Sequence, residues 1–284
     1  MLNKERKIDV MGIVNVTDNS YFAESRCLSG TGDADVSKVV ERAGRMLAEG
    51  ASIIDIGACS TRPGSDPVGE NEEWRRLEPS LKAILEAFPE TVISVDTYFA
   101  SVAAKTAELM EKGIGMSRSA VQERFIINDI SAGEDDPDML ATAGKLGTRF
   151  IAMHKRGNPK TMQSLCDYAD VTREVCEYFR EFDFKAKSAG IRDWILDPGF
   201  GFAKDIEQNY QMLRELGKFT ELGKRVLVGV SRKSMIYRHF GITPEESLPA
   251  TQVLHYKALE NGADILRVHD VAEAVRTVGL FRML

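Results

Sequence analysis

The sequence predicts a single (β/α)8 barrel with a functional site at the C-terminal ends of its strands. Eight short apolar runs alternate with helix-like stretches along the 284 residues, a pattern typical of a parallel sheet covered by helices. Seven of the runs end in polar residues, and barrels of this kind place their sites at that end. Such barrels reach this length as one domain, so we expect residues 1–284 to form one domain.

The strands follow from short apolar runs, and the helices from apolar residues at helical spacing. The predicted strands are 8–14, 53–57, 92–95, 125–127, 149–153, 195–197, 226–230 and 265–269. Residues 113–124 are longer than a helix-to-strand connection needs, which predicts an insertion on the face opposite the strand tips. A doubly wound open sheet is the alternative, but the loop after the first strand lacks the glycine pattern that binds phosphate.

Composition excludes several classes of protein. Hydrophobic residues make up 43% and charged residues 28%, as in ordinary globular domains. The net charge is -6 without a long basic block, so we expect no nucleic-acid partner. No apolar run approaches a membrane span, and the first residues do not resemble a signal peptide. The four cysteines lack metal-type spacing, which favours reduced thiols in a cytoplasmic protein.

The stretch at residues 195–202 is the most informative in the chain. A short apolar strand stops at Asp197, and Pro198 and two glycines then form a tight loop carrying Phe200 and Phe202. A carboxylate beside flat apolar walls suits a planar ligand with N–H donors at its edge, such as a pterin, whose 2-amino group and N3–H form a matching fork. A strand end that is merely capped by a turn is the alternative.

The polar strand tips divide into two chemical groups. The first group contains hydrogen-bond acceptors and donors without excess positive charge, which suit the edges of a neutral heterocycle. Its members are Asp96, Asn128 and Asp197. Residues that suit an anion with many oxygens, such as diphosphate, are Thr61, Arg62, Ser231, Arg267 and His269. Asn15 could support Mg²⁺ on that anion, because this ion keeps its waters and takes few protein ligands. Lys233 lies between the two groups.

Eight segments together resemble the dihydropteroate synthase family, in the family's order and approximate spacing. They are MGIVNVT, DIGACSTRPGS, ISVDT, INDISAG, MHKRGNPKTMQ, ILDPGFGF, VSRKS and RVHDV. The resemblance covers nearly the whole chain and implies a sulfonamide-target transferase of folate synthesis. It would condense 6-hydroxymethyl-7,8-dihydropterin diphosphate with 4-aminobenzoate to give 7,8-dihydropteroate and diphosphate. The resemblance also implies Mg²⁺ and a homodimer.

The resemblance assigns roles to individual positions. The pterin positions are Asp96, Asn128, Asp197 and Lys233, with Met153 and Gly229 in the wall. The diphosphate and Mg²⁺ positions are Asn15, Thr61, Arg62, Arg267 and His269. Those around 4-aminobenzoate are Pro63, Phe202, Lys233 and Ser234. The residues expected to carry the chemistry are Asp96, Asp197, Lys233 and Arg267. Diphosphate would leave first to give a pterin cation, which the aniline nitrogen then attacks. The leaving charge needs stabilisation and the aniline nitrogen needs orientation, so no protein nucleophile is required.

The first loop departs from the family pattern. Where the family usually has NVTPDSF, this chain has NVTDNSY, with Asp18, Asn19 and Tyr21 at the changed positions. We expect residues 18–22 to close over 4-aminobenzoate. In the fifth loop, Lys155 and Arg156 replace the family's usual pair.

Two other functions are possible from the sequence. A non-catalytic or altered-specificity pterin-binding paralogue would explain the changed first loop. A pterin-dependent methyltransferase would share the pterin carboxylates, but it would not need the diphosphate residues. We interpret Asp55, Asp129 and Asp270 as turn formers or helix caps outside the site. The sequence leaves the role of His154 undecided.

Overall fold

A computed structural model describes residues 5–16, 35–59, 68–158 and 161–284. Eight parallel strands form one sheet in the order β6-β5-β4-β3-β2-β1-β8-β7, and a bridge between Leu196 and Val226 joins its two ends. The predicted barrel is therefore confirmed. The strands are β1 (Asp9–Asn15), β2 (Ile53–Gly57), β3 (Val92–Asp96), β4 (Phe125–Asp129), β5 (Arg149–Met153), β6 (Trp194–Asp197), β7 (Leu227–Val228) and β8 (Ile265–Val268).

The helices pack around the outside of the sheet. Those of the described residues are α1 (Val36–Ala48), α2 (Glu70–Ala87), α3 (Ala100–Glu108), α4 (Arg118–Arg124), α5 (Met139–Leu146), α6 (Val171–Ser188), α7 (Ile206–Arg214), α8 (Gly217–Thr220), α9 (Ser234–Phe240), α10 (Leu248–Glu260) and α11 (Val271–Met283). No helix in these parts of the chain is long and apolar enough to cross a membrane.

The insertion at residues 113–124 contains a helix. A π-helical turn at Leu109–Gly113 follows α3, and α4 then begins after Ser117, whose hydroxyl accepts from the Ala120 amide at 3.2 Å. A serine cap of this kind satisfies an amide that the first helical turn leaves unpaired. Gln122 and Glu123 line a cavity with residues at the strand starts. The insertion therefore lies on the predicted face, opposite the strand tips.

The barrel interior is built in layers because side chains alternate along each strand. One apolar residue from each strand fills the N-terminal half: Met11, Ile53, Val92, Ile126, Ile151, Ile195, Leu227 and Ile265. The residue two positions further along each strand must also face inward. These residues are Ile13, Asp55, Ser94, Asn128, Met153, Asp197, Gly229 and Arg267. A mostly polar layer of side chains thus lies directly above an apolar layer inside the barrel. The polar layer forms the base of the site.

The helices bury the outward faces of the strands. On α6, the buried rings of Phe179 and Phe182 pack on Trp194 of β6, with ring centroids 5.9 and 4.9 Å away. These two rings of α6 therefore belong to the core. Two strands are shorter than predicted: β8 covers Ile265–Val268 rather than residues 265–269, and β7 covers Leu227–Val228 rather than residues 226–230. The backbone turns soon afterwards, where Arg232 has a φ of 52°.

Candidate active site

Asp197 ends β6 inside the barrel, only 7% exposed. Its Oδ1 accepts from the Gly199 amide at 2.8 Å. Gly199 has a φ of 72°, and a Cβ there would lie 2.0 Å from the carbonyl oxygen of His154. Only glycine therefore fits this turn. Burial raises the pKa of Asp197, while the charge of Lys233 acts to lower it. The loop holds a buried carboxylate whose orientation is fixed by its own backbone.

Lys233 reaches across from the loop after β7 to the loop after β6. Its Nζ donates to the carbonyl oxygen of Phe200 and lies 4.6 Å from the ring centroid of Phe202. Burial lowers the pKa of Lys233 to about 8, although the Asp197 carboxylate acts to raise it. Ser234 follows as the first residue of α9. The structure therefore brings Asp197, Phe202, Lys233 and Ser234 to one side of the site.

Asp55 lies beneath the opposite side and is fully buried. Its Oδ1 accepts from the Ser94 hydroxyl at 2.5 Å and from Asn128 Nδ2 at 3.1 Å. Its Oδ2 accepts from Arg267 Nε at 2.7 Å. Arg267 Nη2 also donates to Asp96 Oδ2 at 2.9 Å. The interpretation of Asp55 as a turn former or cap was wrong: it lies within β2 and fixes two predicted site residues.

This network shifts the pKa values of its members. Burial acts to lower the pKa of the Arg267 guanidinium, but the carboxylates of Asp55 and Asp96 outweigh it and raise that pKa. Burial raises the pKa of Asp96 to about 7. The positive charge of Arg267 acts to lower this pKa, and the negative charge of Asp55 acts to raise it. The arginine therefore stays charged, and Asp96 titrates near neutral pH.

The raised pKa of Asp96 should make the free energy of unfolding depend on pH. The folded protein holds its proton up to about pH 7, whereas the unfolded chain releases it near the ordinary value of 3.8. Between these two pH values the folded protein therefore binds one more proton at Asp96 than the unfolded chain does. The contribution of Asp96 to the free energy of unfolding falls as the pH rises through this window. Asp96→Asn removes this contribution, so its free energy of unfolding should fall less steeply than that of the unmodified protein.

Urea unfolding at several pH values between about 4.5 and 7 measures the two slopes. Glu73 and Asp129, whose pKa values burial raises to about 7 and about 6, titrate in the same window. Their contribution cancels in the comparison because both proteins carry them. Parallel slopes would show that Asp96 is ionised throughout the folded state.

The loops after β7 and β8 are tied together in two places. Ser231 Oγ lies 3.0 Å from His269 Nδ1 and accepts from the His269 amide at 3.2 Å. Arg232 Nε and Nη2 donate to the two carboxylate oxygens of Asp270, each at 2.8 Å. Asp270 was interpreted as a turn former or helix cap. It occupies the N-cap position of α11, but its side chain makes no cap hydrogen bond there and binds the neighbouring loop instead.

Asp129 behaves as the sequence predicted. Its carboxylate accepts from the amides of Ser131 and Gly133, each at 2.7 Å, and so holds the turn after β4. The two unusual residues of the fifth loop bind away from the site. Lys155 Nζ lies 2.5 Å from Asp135 Oδ2, and Arg156 lies 3.7 Å over the Tyr168 ring. Both cations are therefore held by partners outside the predicted set of pterin residues.

The remaining predicted residues differ in how far the structure describes them. Met153 is buried and pairs with Asp197 in the sheet, and a Cβ on Gly229 would meet only Arg267, at 4.0 Å. Asn15 ends β1 beside Gly57. The residues that lie outside the described parts of the chain are Thr61, Arg62, Pro63, Asp18, Asn19 and Tyr21.

Sequence reasoning also missed Lys204. This residue is 3% exposed, and its Nζ lies 3.0 Å from Nδ1 of His154, the histidine whose role the sequence left undecided. Burial lowers the pKa of His154 well below its ordinary value, and the charge of Lys204 adds to this effect, so the ring is neutral. The sequence shows only that Lys204 closely follows two glycines. A lysine in such a loop is more often solvated than buried.

The barrel and its inner layer define a class of protein. Asp96, Asn128, Asp197 and Lys233 bring two carboxylates, an amide and a lysine to the C-terminal ends of the strands, which is the donor and acceptor set that a pterin ring requires. A family model described as pterin binding enzyme matches residues 11–269. The fold and the site thus define a pterin-binding barrel.

Individual relatives narrow the assignment. Dihydropteroate synthase of Escherichia coli K12 is 39% identical over 271 residues, covering 95% of this chain and 89% of that protein. Dihydropteroate synthase of Synechocystis is 38% identical, covering 92% and 85%. The Yersinia pestis enzyme, solved as a sulfonamide drug complex, matches with a TM-score of 0.86 at 34% identity, covering 99% and 95%. The Xanthomonas albilineans enzyme with 4-aminobenzoic acid gives 0.83 at 33%, covering 98% and 93%. The chain belongs to the dihydropteroate synthase family and is a transferase that acts on small molecules.

Proposed function

We propose that this site condenses 6-hydroxymethyl-7,8-dihydropterin diphosphate with 4-aminobenzoate to give 7,8-dihydropteroate and diphosphate. The observation that carries the proposal is the inner polar layer, in which Asp197 and Asn128 face the same interior space as Arg267. Similarity to enzymes named for this activity supports it. The pterin-dependent methyltransferase has no comparable support.

The pterin ring would bind between the two sides of the inner layer. Asp197 accepts the fork formed by the 2-amino group and N3–H, while Asn128 and Asp96 meet the opposite edge. Met153 and Gly229 form the wall, since Gly229 leaves the space a side chain would fill. Asp96 and Asp197 also offset positive charge that grows on the pterin as diphosphate leaves.

The leaving diphosphate would meet the cations on the far side. Arg267 uses Nε and Nη2 to bind Asp55 and Asp96, and we assign Nη1 to the diphosphate. Arg62, Thr61, Ser231 and His269 complete this group by family resemblance. Negative charge on the leaving oxygens is then stabilised by groups held in place beforehand, which is the main source of rate enhancement expected here.

The residues around the barrel mouth fit a magnesium ion that is bound mainly by diphosphate. The described residues contain no cluster of three or more His, Cys, Asp or Glu side chains that could hold a metal by themselves. Asn15 ends β1 and offers one amide oxygen, a ligand type that Mg²⁺ accepts while keeping most of its waters. When bound, the ion would neutralise charge on the leaving diphosphate.

The second substrate would enter above the pterin. Pro63, Phe202, Lys233 and Ser234 surround 4-aminobenzoate in this proposal, and Lys233 already lies over the Phe202 ring. Orientation alone lets the aniline nitrogen attack the pterin methylene. The loop at residues 18–22 would close over this substrate.

Diphosphate release tests the function directly. The unmodified protein should release diphosphate from the pterin ester only in the presence of 4-aminobenzoate and Mg²⁺, with one dihydropteroate formed for each diphosphate. Binding of the pterin ester without any turnover would instead favour the non-catalytic paralogue.

Asp197→Asn tests the pterin role. The amide presents a donor where the pterin also presents donors, and a mispaired buried polar group costs about 1–3 kcal/mol, more when charge is involved. The affinity for 6-hydroxymethylpterin should therefore fall at least about tenfold, which corresponds to 1.4 kcal/mol. Calorimetry measures it, with Asp193→Asn, on the opposite face of the barrel, as the matched control. Equal affinity in all three proteins would remove Asp197 from the site.

We also propose that the enzyme is a one-domain cytoplasmic homodimer. The cysteines of the described residues, Cys59, Cys166 and Cys176, are present as thiols, as in reducing compartments. Apolar side chains on the neighbouring helices α10 and α11 are exposed, with Val253 at 67% and Leu280 at 57%. Such side chains together support a protein interface.

A further inference from the structure

The loop after β6 is held from beneath by one buried cation. The Lys204 Nζ lies 3.0 Å from His154 Nδ1 and donates to the carbonyl oxygens of Gly199 at 3.1 Å and Phe202 at 2.9 Å. Among the described residues, no carboxylate forms an ion pair with it. Its Nζ also lies 3.4 Å from the carbonyl oxygen of His154, so four neutral acceptors surround a side chain that is 3% exposed.

The contact set suits either protonation state of the lysine. An ammonium group donates three hydrogen bonds, and its three shorter contacts, to His154 Nδ1 and to the carbonyl oxygens of Gly199 and Phe202, can accept them when the neutral His154 carries its proton on Nε2. A neutral amine would donate to the two carbonyls and accept from His154 Nδ1–H. Burial lowers the pKa of Lys204 to about 7, so both states are populated near neutral pH. The loop keeps its attachment in both.

Asn209 of α7 holds the same loop from the other side. Its Oδ1 accepts from the Gly201 amide at 2.7 Å, and its Nδ2 donates to the carbonyl oxygens of Lys204 at 3.1 Å and Asp205 at 2.6 Å. Between them, Ala203 has a φ of 51°. A non-glycine residue in the left-handed region is strained and persists only where surrounding contacts enforce it.

The attached loop carries three groups of the site. Asp197 begins it, the carbonyl of Phe200 accepts from Lys233 Nζ, and the Phe202 ring lies beneath the same ammonium. We propose that Lys204 is a positioning residue for pterin binding: through Gly199 and Phe202 it sets the loop that orients Asp197 and Lys233. This inference rests on the proposed function, because it takes that loop to be the pterin side of the site.

Lys204→Met tests the inference, because methionine fills similar space without donating hydrogen bonds. We expect the affinity for 6-hydroxymethylpterin to fall about tenfold or more, and the KM for 4-aminobenzoate to rise as well, because Phe202 and Lys233 border that substrate. Phe219→Leu, in the buried part of α8, serves as a control that lowers the melting temperature without touching this loop. Lys204→Gln retains an amide donor and should give a smaller loss, and it replaces Lys204→Met if that variant does not fold.

The outcomes separate the inference from the function. Absence of turnover by the unmodified protein would count against the proposed function itself. Turnover by the unmodified protein together with unchanged pterin affinity in the lysine variants would overturn the positioning role. Equal pterin weakening in Phe219→Leu at a matched loss of melting temperature would also overturn it, because general stability would then explain the effect. Pterin weakening in the lysine variants alone supports it.

Discussion

Asp55→Asn should lower the free energy of unfolding by about 3 kcal/mol or more, because breaking a buried ion pair leaves a charge without its partner. The new amide has one oxygen, so its NH2 group would face donors either from Ser94 and Asn128 or from Arg267, and Arg267 would keep only Asp96 as an anionic partner. A site residue, Asn128 or Arg267, would lose its orientation in either case. The affinity for 6-hydroxymethylpterin should therefore fall about tenfold or more, although Asp55 is buried beneath the site.

Denaturant unfolding and pterin calorimetry measure the two effects. Glu108→Gln is the matched control, since it makes the same chemical change in an exposed pair, where Glu108 lies 2.9 Å from Lys112. Exposed pairs contribute little, so this control should leave the unfolding midpoint and the pterin affinity unchanged. If Asp55→Asn were as stable as the control, the buried network would not be what holds Arg267.

The sequence predicted the barrel because alternation of strands and helices is a local property repeated eight times. The tip residues Asp96, Asn128 and Asp197 were found for the same reason, since each follows an apolar strand. Asp55 was not predicted as a site residue because it lies within β2, one inward layer deeper than the strand ends. The period of two from Ile53, which faces the barrel interior, would have reached it.

Other features depend on contacts between distant parts of the chain. Lys204 meets His154 across 50 residues, and Arg232 meets Asp270 across 38. A single sequence offers no local sign of either pair. Lysine and arginine side chains are mostly exposed in proteins, so neither residue type by itself predicts a buried contact. The π-helical turn before α4 was also unpredicted, because apolar periodicity does not distinguish it from the preceding helix.

Arg232→Lys should lower the free energy of unfolding by about 2–3 kcal/mol, although it keeps the charge. The guanidinium binds Asp270 through Nε and Nη2 and donates from Nη1 to the carbonyls of Pro244 and Glu245, both at 2.9 Å. An ammonium group has three donors at one point and cannot reproduce this planar arrangement. The side chain is 6% exposed, so water cannot replace the lost bonds.

The same substitution should affect the 4-aminobenzoate side of the site. Arg232 has a φ of 52° and separates Ser231 from Lys233, so the tie to Asp270 holds a strained turn that aims both neighbours. The KM for 4-aminobenzoate should rise about fivefold, equivalent to about 1 kcal/mol. Arg214→Lys, in an exposed pair with Glu207, makes the same change without burial and should alter neither quantity. A loss of stability with an unchanged KM would mean that the tie supports the fold without positioning the loop.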